Sequence, residues 1–249
     1  MPHMKKWFSL SLILLLAACG KPSSPVTQSP MAQERISFQT TDGVSIVGDW
    51  SAAPSATKAV LLLHMMPATK VSWQPLSKAL NGAGFSTLAI DLRGHGESTD
   101  QGGKKLDYNN FSDKDHQASR LDVDGAMNFL KSKGFDEKNI SFVGASIGAN
   151  LSLDALHRYS STSRAVLLSP GLDYRGVKTE PLMRQLGAYQ KVWTIAAEGD
   201  KYSVDSSLAL QQLQKEIAAV TIFGGSDHGT TLFSSQKNLV PDIVKFLNA

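Results

Sequence analysis

The sequence predicts an α/β domain, a mostly parallel sheet with helices on both faces. Short aliphatic runs alternate with segments of helical spacing from Glu34 onward, the pattern of strand–helix–strand units. AVLLLH is apolar without a break up to its last residue, and FSTLAID and AVLLSPG are largely apolar, as strands buried on both faces are. Polar, chemically able residues stand directly after several of these runs, where parallel sheets gather their sites.

Each element follows in order. ERISFQT and VSIVGDW flank Thr41-Asp42-Gly43, a hairpin signal. AVLLLH is a buried strand, SWQPLSKALNGAG a helix stopped by glycine, and FSTLAID a second buried strand. A long polar, glycine-bearing segment runs from Leu92 to Asp115. HQASRLDVDGAMNFLKSKG then has helical spacing, with Leu121, Met127, Phe129 and Leu130 as its apolar positions. NISFVG is a strand and SIGANLSLDALHRYS a helix. AVLLSPG, KVWTIAAEGD and AVTIFGG read as three further buried strands. Helical patterns lie at Ser203–Ile217 and Ser235–Asn248.

The first residues follow other rules. Lys5 and Lys6 precede a charge-free run from Trp7 to Ala18, too short to cross a bilayer comfortably but of the length of a secretory apolar region. Leu16-Ala17-Ala18-Cys19-Gly20 resembles the lipobox of bacterial lipoproteins. The resemblance implies a signal peptide over residues 1–18, removed before Cys19, whose thiol then carries lipid. With Gly20 next, it implies the outer membrane, facing the periplasm. Residues 19–33, rich in Pro, Ser and Thr, read as a flexible tether, and residues 34–249 as the folded domain. Cys19 is the only cysteine, so no internal disulfide forms. Loss of the signal lowers Lys+Arg from 25 to 23 against 22 acids, so charge does not point to nucleic acid.

Three strand ends carry a matched set of groups. Ser146 follows NISFVG, Asp200 follows KVWTIAAEG, and His228 follows AVTIFGG. With Gly144-Ala145-Ser146-Ile147-Gly148 as a nucleophile elbow and this chain order, the sequence resembles the α/β-hydrolase superfamily over roughly residues 34–249. The segment Asp91-Leu92-Arg93-Gly94-His95-Gly96-Glu97-Ser98 is similar to the one after the fourth strand in many members. The resemblance implies an eight-stranded, mostly parallel sheet with a short or absent cap. It also implies Ser146 as nucleophile, His228 as base and Asp200 as the acid that orients it.

The residues alone leave choices open. A serine before a helix also reads as a helix cap. Glu198, Asp173 and Asp227 compete with Asp200. Among the histidines, the resemblance implies that His64 supports the loop after its strand; His95 reads as structural or pocket-lining, and His116 and His157 as solvated helix residues. An oxyanion hole needs two backbone N–H groups. Ile147 supplies one; Met66 is the better second donor and Met65 the alternative, since Pro67 has no N–H.

Among motifs, the chain has no HExxH, no cysteine cluster and no phosphate-binding glycine loop, so neither metal nor cofactor is expected. Gly171–Gln190 is short where a cap would be inserted. These readings lead to a serine hydrolase cleaving carboxylic esters of small molecules through an acyl-enzyme. The alternatives are a peptidase, amidase or acyltransferase on the same residues, or a non-catalytic binding lipoprotein. Oligomeric state is not legible.

Overall fold

The central strands are buried along nearly their whole length, as their apolar runs require. The computed structural model describes residues 33–249, with Met1 and His3. The expected signal peptide, Cys19 and nearly all of the tether lie outside the described residues. The domain opens one residue earlier than expected, with β1 (Gln33–Gln39), which pairs antiparallel with β2 (Val44–Ser51) across the Thr41–Gly43 turn. β3 (Lys58–Leu63) leads through a short 3-10 turn into α1 (Gln74–Gly82), followed by β4 (Phe85–Ile90).

The long segment after β4 contains a small hairpin, β5 (Asp100–Gln101) and β6 (Lys104–Lys105). The single helical pattern expected from His116 to Gly134 is two helices, α2 (Asp113–Gln117) and α3 (Arg120–Ser132). Ser112 starts α2 with a capping box, in which its side chain and that of Asp115 each bond the other's backbone.

Next come β7 (Ile140–Ala145), α4 (Ile147–Arg158) and β8 (Arg164–Leu168). A two-residue turn joins β9 (Asp173–Tyr174) to β10 (Val177–Lys178), and α5 (Glu180–Met183) follows. The chain closes with β11 (Lys191–Ala197), α6 (Lys201–Leu213), β12 (Ala218–Phe223), α7 (Leu232–Ser235) and α8 (Leu239–Asn248).

The main sheet runs β1-β2-β4-β3-β7-β8-β11-β12, and β4 through β12 are parallel. These are the eight strands expected. Two more join them, because β2 pairs with β4 over Gly48–Ser51 and with β5 over Val44 and Ser45, making ten. β12 corrects one expectation: it is the sheet edge and is mostly half-exposed. Within β3, Leu61 and Leu63 join the core under α3 and α4, while Val60 and Leu62 join the core under α1 and α8. This two-sided burial is why the run is apolar throughout. On α8, Leu239, Ile243 and Leu247 are buried at a spacing of four, and each contributes about 1.5–3 kcal/mol by leaving water. Among the described residues no helix is long and apolar enough to cross a membrane.

The segment between β8 and β11 holds only the β9–β10 hairpin and four-residue α5. The carboxyl end of the sheet therefore carries no cap domain, as expected.

Candidate active site

Ser146 sits at the sharp turn from β7 into α4 with φ 53° and ψ −119°, a left-handed region that costs a non-glycine residue about 1–3 kcal/mol. Close packing imposes it. A Cβ on Gly144 would overlap the Gly148 carbonyl oxygen; one on Gly148 would overlap that of Leu63 and sit 2.6 Å from that of His64. The two glycines let α4 start directly against the end of β3. A helix-capping serine has extended backbone and accepts a backbone N–H. Ser146 has neither feature and makes no side-chain cap, so its hydroxyl is left for other work. α4 begins at Ile147, directly after Ser146, and a helix N-terminus favours negative charge there.

Asp200 ends the turn after β11 and starts α6. Its Oδ2 accepts from His228 Nδ1 at 2.7 Å, and its Oδ1 accepts from Ser203 N at 3.4 Å. Partial burial acts to raise this carboxyl, but hydrogen bonds from Ser203 and His228 outweigh it and hold it below its usual value. The ring bond fixes the His228 tautomer, leaving Nε2 as the acceptor. The Asp200 side chain is 14% exposed and that of His228 38%, so the pair is shielded but reachable. A Cβ on Gly229 would sit 3.1 Å from that of Ala145. The loop carrying His228 therefore lies against the residue preceding Ser146.

The competing acids stand elsewhere. Asp173 Oδ1 accepts from Gly176 N at 2.7 Å within its own hairpin, and Glu198 is exposed. Asp227, beside His228 in sequence, does not bond the ring; Asp200 does.

His64 supports the loop after β3 as expected. Leu92 N donates to its Nε2 at 2.9 Å, so Nδ1 carries the proton and donates to the Met65 carbonyl, also at 2.9 Å. This bond fixes the backbone just before Met66. The contact between Gly148 and the His64 carbonyl brings the Ile147 and Met66 segments side by side. Met65 packs beside Gly229 and Met66 beside the α3–α4 core.

His95 is buried and stacks on Tyr108, ring centroids 3.9 Å apart. His116 corrects the sequence reading. It is buried, not solvated, with its ring edge-on to Phe111 at 5.4 Å, because the Leu92–Asp115 segment folds back over α2. His157 is half-buried on α4.

Burial, then the neighbouring His95, lowers His64 to about 4. Burial likewise lowers His95 and His116. An unfolded imidazole binds its proton near pH ~6.5, so between the folded and unfolded values the unfolded chain binds more protons and stability rises with pH. These rings therefore act against stability on acidification from pH 7 to 4.5, while burial raises Asp122 to about 6 and acts the other way. The His64 ring should stay neutral in the folded protein down to about pH 5, read by NMR titration; proton uptake near pH ~6.5 would contradict its neutral burial.

Two residues that sequence reading missed complete the site. Tyr174, on β9, reaches Ser203 Oγ at 3.3 Å and lies near the Ser146 side chain. Burial pushes its phenol above the usual value, so it remains a neutral donor. Ser169 Oγ accepts from Gly229 N at 2.9 Å and lies near the Asp200 carboxylate, beside the histidine loop. Neither follows a recognisable motif: Tyr174 sits on a two-residue strand and Ser169 just after β8, and tertiary folding sets both positions. Among the described residues no cluster of His, Cys, Asp and Glu could hold a metal ion.

A family model described as "Serine aminopeptidase, S33" matches residues 54–221. No curated protein matches the sequence. Among solved structures, an esterase from Pyrococcus furiosus is similar with a TM-score of 0.72 at 17% identity, covering 91% of this chain and 96% of that one. A serine hydrolase from Cycloclasticus zankles is similar at 0.69 and 14% identity, covering 87% and 98%. A dienelactone hydrolase from Anabaena variabilis is similar at 0.63 and 15%, covering 88% and 95%.

Proposed function

Because this chain belongs to the serine aminopeptidase S33 family of α/β-hydrolases, and so to the serine hydrolases at the superfamily level, we propose that it cleaves carboxylic esters through an acyl-enzyme on Ser146. The observation that carries the proposal is the strained Ser146 with a hydroxyl free of capping, beside the His228–Asp200 pair.

Ser146 Oγ attacks the ester carbonyl carbon while His228 Nε2 takes its proton. The carbonyl oxygen becomes an oxyanion, held by the N–H groups of Ile147 and Met66. Asp200 keeps the ring oriented and stabilises the imidazolium. As the C–O bond breaks, the alcohol leaves with the proton from Nε2. Water then repeats the sequence, losing its proton to His228, and frees the acid and Ser146. No step calls for a metal or cofactor. The lipid anchor on Cys19 that the N-terminal sequence leads us to expect would hold the domain in the cell envelope.

Ester over amide is supported by the uncapped site and by the esterase among the similar structures. The family description favours a second reading, an aminopeptidase on the same residues. A panel of p-nitrophenyl esters against aminoacyl p-nitroanilides separates the two. Turnover of the esters with kcat/KM far above that of the anilides is expected. Efficient cleavage of the anilides alone would overturn the ester proposal in favour of the peptidase.

A further inference from the structure

We infer that the site selects esters whose acyl part carries a carboxylate, which Arg175 binds; this rests on the ester reading and on Met66 as oxyanion donor. A cavity of about 350 Å³ opens beside that loop. It is lined by Met66 and Pro67, by Tyr108, Asn109, Phe111 and His116, and by Arg175.

Arg175 is the one formally charged residue in this lining. Its guanidinium makes no ion pair and no hydrogen bond among the described residues, which leaves its donors open to a ligand. His116 does not compete for an anion: burial first, then the nearby Arg175 charge, lowers it and keeps it neutral. Arg175, itself exposed, thus brings the one charge to a cavity whose other lining residues are aromatic, apolar or neutral.

The backbone points the same way. Arg175 and Gly176 form the turn between β9 and β10 with φ 56° and φ 78°, a mirror-image hairpin turn that Asn and Gly usually fill. Arginine there is strained, and such outliers cluster at ligand sites. The turn is held in place. Gln117 Nε2 donates to the Arg175 carbonyl at 3.3 Å, Asn150 Nδ2 to the Val177 carbonyl at 2.7 Å, and Tyr202 Oη to the Asp173 carbonyl at 3.1 Å. Tyr174, the residue before, lies near the Ser146 side chain. One short hairpin therefore carries both a neighbour of the nucleophile and the cation. A planar guanidinium presents paired donors that fit a carboxylate. An acyl chain running from Ser146 past Met66 would place its carboxylate there, whereas the protonated amine of an aminopeptidase substrate would be repelled.

The test compares mono-p-nitrophenyl adipate with p-nitrophenyl hexanoate, which is of similar length and neutral. The native enzyme should prefer the adipate ester in kcat/KM by about ten- to hundredfold. Arg175→Gln should remove that preference through KM while leaving hexanoate turnover unchanged; Arg175→Lys should keep part of it. Arg184→Gln, which removes an exposed charge lining a different cavity, should keep all of it, excluding general attraction of anions. Hexanoate cleavage without an adipate preference, or a preference that survives Arg175→Gln, overturns this inference alone. Cleavage of neither ester overturns it together with the ester reading.

Discussion

Ser146→Ala should lower kcat for ester hydrolysis by about 10⁴-fold or more, leaving only the rate that binding and the oxyanion hole supply. The effect is large because the substitution removes the bond-forming atom and leaves the scaffold intact. Ser146 makes no side-chain cap to α4, and its backbone N donates to the Leu168 carbonyl at 2.8 Å whatever the side chain. The folded content, read by circular dichroism, should match that of the native protein. A variant that folds and retains native rates would remove Ser146 from the mechanism.

His228→Ala should be about as damaging, and Asp200→Asn should cost about 10⁴-fold. The amide can still accept from Ser203, but it can also offer its NH₂ to the ring and favour the wrong tautomer. The 2.7 Å bond to His228 Nδ1 is what fixes Nε2 as the proton acceptor. These losses are not additive, because the three residues act as one unit. Ser146→Ala combined with His228→Ala should be scarcely slower than Ser146→Ala alone. Glu198→Gln, an exposed acid two residues before Asp200, should stay within a few-fold of native. Steady-state kinetics on one p-nitrophenyl ester reads all of these. Native rates for Asp200→Asn would leave the ring oriented by another group.

The main strands were legible because each apolar run, such as AVLLLH, is long enough to be buried on both faces and is bounded by turn residues. The β5–β6 hairpin was not, since two-residue strands carry no period. β12 read as buried because its alternation is weak; only the sheet order makes it the edge. In the site, Ser146, Asp200 and His228 were legible because strand ends bring them to one side of the sheet. Tyr174, Ser169 and Arg175 were not. Their positions come from turns packed across the sheet end, with left-handed backbone at Ser169 and Arg175 that no spacing rule signals. His116 was misread for the same reason: helical spacing does not reveal that a distant loop, through Phe111, folds over it.

The most direct test of the account is covalent capture of the nucleophile. The protein is treated with a fluorophosphonate, the mass of the intact chain is measured, and the adduct is mapped by peptide sequencing. The account predicts one adduct, on Ser146, with loss of ester turnover in step with labelling and no adduct on Ser146→Ala. Full ester turnover by an unlabelled protein, or an adduct on another serine such as Ser169, would contradict it.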